Sequence, residues 1–124
     1  MRCIPLVLGL AAGAAHAEGA ARVFDCTVLQ DCDAAGLCTG SGTPVRFRLE
    51  PRQLADDGSG LFTLDAGSGP VEARGLGDAG PWLWSEAPGA ADALLLSDAT
   101  RALWHHRGAD GSARIRFLAC EVTQ

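Results

Sequence analysis

The chain contains no lysine, no asparagine and no tyrosine. Without lysine it has neither a Schiff-base nitrogen nor a P-loop cation, and without asparagine it has no acceptor for N-glycosylation. Every basic side chain other than histidine is an arginine. No segment approaches the roughly 20 apolar residues of a membrane-spanning helix, and no long window keeps the i, i+3, i+4, i+7 spacing of an amphipathic helix. The cysteines form neither C-x-x-C nor C-x-x-C-H, so zinc ribbons, thioredoxin-like redox sites and haem attachment lack their geometry. G-x-S-x-G is also missing; the Gly-Ser-Gly triplets centred on Ser41, Ser59 and Ser68 have the wrong spacing and read as turns. A formal net charge of −5, spread along the chain, repels phosphate backbones and makes nucleic acid an unsuitable partner. No cofactor is expected.

What is present begins with the three parts of an export signal. Arg2 is the basic start, Ile4 to Ala12 the apolar stretch, and Ala15-His16-Ala17 the small-x-small cleavage site. The expectation is a signal peptide over residues 1–17 and one small domain over residues 18–124, located in the periplasm or secreted. A lipid anchor requires a cysteine directly after the apolar stretch, whereas Cys3 precedes it and Cys26 lies inside the domain. Removing 17 of the 124 residues leaves 107 and takes the net charge to −6 by the loss of Arg2. A domain of that size buries only about 60–70% of its unfolded surface and gains from covalent support.

Cleavage removes Cys3 and leaves Cys26, Cys32, Cys38 and Cys120, an even set in a compartment where disulfides persist. Four cysteines allow three pairings. The expected one is Cys26 with Cys120 and Cys32 with Cys38. Cys26 lies in the first expected strand and Cys120 in the last, which are neighbours if the sheet closes on itself. Cys32 and Cys38 flank a short loop in which Gly36 supplies the turn.

From Val23 onward, apolar residues come in short runs bounded by Gly, Pro, Asp and Ser. In Thr43–Glu50, Val45, Phe47 and Leu49 alternate with Arg46, Arg48 and Glu50, so that one face is buried and the other meets water. In Arg114–Val122, Ile115, Phe117 and Ala119 share one face while Arg114 and Arg116 begin the other. Further strands are expected near residues 23–29, 60–65, 71–76, 82–86, 93–97 and 101–107. The stretch Ala90–Leu96 also suits one or two helical turns. The fold class that follows is mainly β: about eight short antiparallel strands, as a disulfide-stapled sandwich or small closed barrel.

Most of the motifs that resemble chemistry fail on context. Gly75-Leu76-Gly77-Asp78-Ala79-Gly80 spells G-x-G-x-x-G, but Pro81, Trp82 and Leu83 follow where a helix is required, so it reads as a turn. Asp31, Asp33 and Gly36 look like the start of a calcium loop whose twelfth position is Gly42 instead of glutamate. His105 and His106 are adjacent and, on a strand, point to opposite faces, which prevents joint chelation of one metal. Trp82 and Trp84 share a face, and Trp104 lies beside the histidine pair. The three tryptophans are the candidate binding residues, as a recognition platform, yet they are also the largest core-fillers available. Leu83 between the first two makes that strand apolar on both sides, so something has to cover one of them. Arg46 with Arg48, and Arg114 with Arg116, form same-face pairs that could join into a basic stripe or belong to a solvated face.

Phe24-Asp25-Cys26, Cys32, Cys38, Gly80-Pro81-Trp82, Leu94-Leu95-Leu96 and Phe117-Leu118-Ala119-Cys120 together resemble small uncharacterised exported proteins of alphaproteobacteria. That resemblance covers most of the expected mature chain and carries no activity with it. Size, β content and cysteine staples are loosely similar to periplasmic inhibitors of C-type lysozyme, without their inhibitory motif. The function expected is therefore a non-catalytic binding or interaction module with a protein or small-molecule partner. Its rivals are an inhibitor of lysozyme type and a small hydrolase or thiol enzyme using His105 or His106.

Overall fold

Period-two alternation along almost every segment builds nine strands among the described residues: β1 (Arg22–Asp33), β2 (Cys38–Thr39), β3 (Pro44–Leu54), β4 (Gly60–Asp65), β5 (Pro70–Gly75), β6 (Trp82–Trp84), β7 (Ala91–Asp98), β8 (Arg101–Arg107) and β9 (Ala113–Thr123). The structure is a computed structural model that describes Cys3 and residues 20–124. The expected signal segment, its cleavage after Ala17 and the new start at Glu18 lie outside the described residues. From β3 to β9 each strand pairs antiparallel with the next, and β1 pairs with both β3 and β9. Eight strands thus close into an up-and-down barrel, which decides between sandwich and barrel and leaves those strands no free edge. The short β2 is a ninth strand, paired only to the end of β1.

Alternate residues fill the interior. Phe24, Phe47, Leu49, Leu64, Trp82, Leu94 and Leu118 are fully buried, and the rings of Phe24 and Phe62 pack on Trp82 at 5.5 and 6.4 Å. An eight-stranded barrel is just wide enough for side chains to fill it, so this lumen is a packed core. The expected helical turns at Ala90–Leu96 are not formed. Asp92, Leu94 and Leu96 point inward while Ala93 and Leu95 point outward, and pairing to β6 and β8 on both sides stabilises the extended backbone.

Both disulfides join the expected partners, Cys26–Cys120 across β1 and β9, and Cys32–Cys38 across β1 and β2. Gly36, at φ +83°, makes the tight return to Cys38, and Asp33 Oδ1 accepts bonds there from the amides of Ala35 and Leu37. The G-x-G-x-x-G stretch is a turn. Gly80, at φ +85°, lies so close to the Leu94 carbonyl that a Cβ would stand 2.8 Å from its oxygen.

Candidate functional site

The end of the barrel formed by the C-terminal ends of β1, β6 and β8 and the starts of β3, β7 and β9 carries a cluster of polar side chains facing inward. It begins with Asp92, a single acid in phase with the buried Leu94 and only 4% exposed. Its Oδ1 accepts from Trp104 Nε1 at 2.9 Å and lies 2.7 Å from His106 Nδ1; its Oδ2 is buried without a protein partner. Trp104 and His106 reach the same oxygen because they stand two apart on β8 and so share its inner face.

Trp104 connects this group to a second one. Its ring meets Phe47 edge-on at 5.1 Å and carries the Arg116 guanidinium 4.4 Å above it. Arg116 and its neighbour in phase, Arg114, both donate through Nε to Asp31, at 3.3 and 2.8 Å. Burial disfavours the Asp31 carboxylate, but the hydrogen bonds and charges of Arg114 and Arg116 outweigh it, so that its pKa lies below the ordinary aspartate value. The bond to Asp31 raises the pKa of Arg114 in return. Beside Trp104 and Arg116, between the diverging ends of β1 and β3, opens a cavity of about 270 Å³ also lined by Asp31, Ser41, Thr43 and Val45.

The sequence-based candidates separate cleanly. Trp82 and Trp84 share a face, as expected, and that face is the core: they are 0% and 5% exposed, which is the core-filling role expected of them, and they drop out of the alternative three-tryptophan binding platform. Trp104 alone reaches the mouth. His105 and His106 do take opposite faces; His105 is on the outer wall and His106 is half-buried beside Asp92. Among the described residues no hydroxyl or thiol bonds the other nitrogen of His106. Arg46 and Arg48 lie on the outer wall with Asp25 and Glu50, whereas Arg114 and Arg116 turn inward, so the two pairs form no common stripe. Asp31 and Asp33 are engaged by arginines and by backbone amides, respectively, and do not converge as calcium ligands.

Sequence reasoning missed Asp92 altogether and met Asp31 only as part of a rejected calcium loop, not as a residue of the mouth. Asp92 left a readable signal, a lone acid in phase with Leu94 and Leu96. Asp31 left none, because a bulge between Val28 and Gln30 shifts the phase of β1 and turns Asp31 to the inside.

At the opposite end a larger hollow of about 480 Å³ surrounds Arg22. Arg22 lies against the rings of Phe24 and Trp82 at 5.2 and 5.4 Å and donates to the Asp78 carbonyl, which makes it the plug of the core. No family model, no curated protein and no solved structure matches the chain.

Proposed function

We propose that this chain is a non-catalytic binding module of an oxidising, extracytoplasmic compartment, which meets its ligand at the barrel mouth. The observation that carries the reading is the Trp104–Arg116 stack beside the open cavity, with Asp92 holding the indole N–H and Asp31 holding the guanidinium. Both groups are fixed before any ligand arrives, so binding costs little side-chain ordering. Two guanidinium groups have five N–H donors each, more than one carboxylate can accept, which leaves donors for an acidic or carbonyl-rich ligand. The filled lumen argues for recognition at the rim and against a carrier that swallows its cargo.

Location rests on the export signal at residues 1–17 and on the two disulfides, which persist in the periplasm or outside the cell. N-terminal sequencing of the exported protein is expected to begin at Glu18; a product that retains Met1 counts against this location. The binding reading itself is tested by affinity capture from the exported fraction, with bound protein and small molecules identified by mass. The expected result is a component retained by the native chain and lost from the Arg114→Ser and His106→Ser variants while both remain folded. Equal retention by the variants would move the site elsewhere. A protein inhibitor of lysozyme type is one form of the proposal, with inhibition of C-type lysozyme as its direct assay.

One observation favours a second reading, a small hydrolase. Asp92 holds His106 through Nδ1 as an acid orients a general base, and among the described residues no protein group bonds the second ring nitrogen. Turnover of a model ester abolished by His106→Ala would replace the first reading with this one.

A further inference from the structure

The outer wall of β6–β9 is apolar where a barrel facing only water is expected to be polar. Cross-strand register sets two complete rows side by side. The first runs Leu83, Ala93, His105, Ile115, Cys32 from β6 to β1, and the second runs Leu95, Leu103, Phe117, Gln30 from β7 to β1. Leu83, Leu95, Ile115 and Phe117 are 40%, 36%, 41% and 45% exposed. In β9 this reverses the intuitive orientation, because the face that begins with Arg114 and Arg116 turns inward and the Ile115–Phe117 face meets solvent. Contiguous exposed apolar patches of more than a few hundred Å² are uncommon on monomeric domains, and the largest one on a domain is often an interaction surface.

The charges around the patch are as informative as its centre. Arg74 flanks Leu83 on β5, Arg107 stands above His105 on β8, and Arg101 stands below Leu103. Among the described residues, Arg74 and Arg107 have neither an ion pair nor a hydrogen bond, whereas Arg101 lies opposite Asp98 across the β7–β8 turn and makes a long contact to the Thr100 carbonyl. Most other arginines of the described chain are engaged by a carboxylate, a hydroxyl or a carbonyl. The two rows themselves contain no Asp or Glu, although the chain has 15 of them; the carboxylates on this side stand at its edge, Asp98 opposite Arg101 and Glu72 in phase with Arg74. An acidic protein has therefore kept its carboxylates out of these two rows and left Arg74 and Arg107 unpaired at their edge.

We propose that this wall is a second docking surface, separate from the mouth, for a partner protein that presents apolar side chains flanked by carboxylates. The apolar rows supply the dry centre and the arginines the polar rim of an interface. A second copy of the chain is a poor occupant, because its matching rows offer no carboxylate to the unpaired Arg74 and Arg107. An anionic bilayer is disfavoured by the net charge of −5, which repels it at long range. Closure of the barrel removes strand addition to β6–β9, so the partner docks through side chains.

The probe is a capped synthetic peptide of alternating Leu and Glu, added to the disulfide-bonded mature protein and followed by backbone amide NMR. A matched peptide with Lys in place of Glu is the control. The expected result is a set of shifts confined to β6–β9 and their border with the Glu peptide and none with the Lys peptide. The double variant Arg74→Glu, Arg107→Glu is expected to weaken binding by roughly tenfold or more, about 1.4 kcal/mol for each factor of ten. Near-UV circular dichroism confirms that this variant folds, and Phe117→Ser provides an independent change at the centre of the patch. Absence of shifts, equal response to both peptides, or full binding by the variants overturns the proposal. So does sedimentation of the native chain as a dimer that Leu95→Ser dissociates, or co-sedimentation with phosphatidylglycerol vesicles that Phe117→Ser abolishes.

Discussion

Cys26 and Cys120 stand directly opposite each other on β1 and β9, so one covalent bond lies across the seam at which the barrel closes. Cys32 and Cys38 are also cross-strand neighbours, but they join a local hairpin. The sequence separations are 94 and 6 residues. On the chain-entropy model these loops correspond to about 4.7 and about 2.3 kcal/mol. Replacing Cys26 and Cys120 together is therefore expected to lower the melting temperature more than replacing Cys32 and Cys38. Differential scanning calorimetry of the two double variants decides it, and the opposite order would mean that the seam is held by its strand pairing alone.

Asp92 ties the mouth to the core, and its bond to Trp104 can be isolated. Trp104→Phe keeps an aromatic ring against Phe47 and under Arg116 but removes the N–H that donates to Asp92. A double-mutant cycle with Asp92→Ala is expected to give a coupling of about 1 kcal/mol, the usual net worth of one intramolecular hydrogen bond. Urea denaturation of the four proteins measures it. A coupling near zero would show that the buried carboxylate is held by His106 alone.

Trp84 packs edge-on against Phe47 at 6.2 Å and is 5% exposed, so its contribution belongs to the core. Truncation to Ala is expected to cost about 3–5 kcal/mol, read from chemical denaturation, and to reduce binding only through the loss of folded protein. A Trp84→Ala variant of native stability that had lost a captured partner would reverse that assignment.

The parts of this molecule legible in the sequence are those that depend on period and spacing. Val45, Phe47 and Leu49 announce β3, Gly36 announces the turn between Cys32 and Cys38, and the positions of Cys26 and Cys120 announce the closed seam. Strand limits were less visible. β1 continues to Asp33, beyond the expected end near Leu29, because its far half pairs with β9 and with β2. β3 continues past Glu50 through an irregularity at Pro51–Gln53. The mouth was the least legible part, since it is assembled from β1, β3, β7, β8 and β9 and depends on a bulge that exchanges the faces of β1. Arg114 and Arg116 were noticed as a pair, but which way they face is a matter of register, set by Leu118 and Cys120 filling the core from the same side of β9.

Asp31 gives the mouth a defined dependence on pH. Its pKa is lowered in the folded protein: burial opposes ionisation, but the bonds from Arg114 and Arg116 more than offset it. The unfolded chain has the ordinary aspartate value of about 3.9. A group depressed on folding contributes stability that is fully present above the unfolded pKa and is lost as pH falls through the folded one. Asp31→Asn is therefore expected to be less stable than the native chain at neutral pH, with the difference shrinking below about pH 4, where the unfolded carboxyl takes up its proton. Stability curves of both proteins between neutral pH and pH 2 make the comparison. A difference that stayed constant across that range would assign the cost of Asp31→Asn to packing and remove the charge pairing from the account of how Arg116 is held over Trp104.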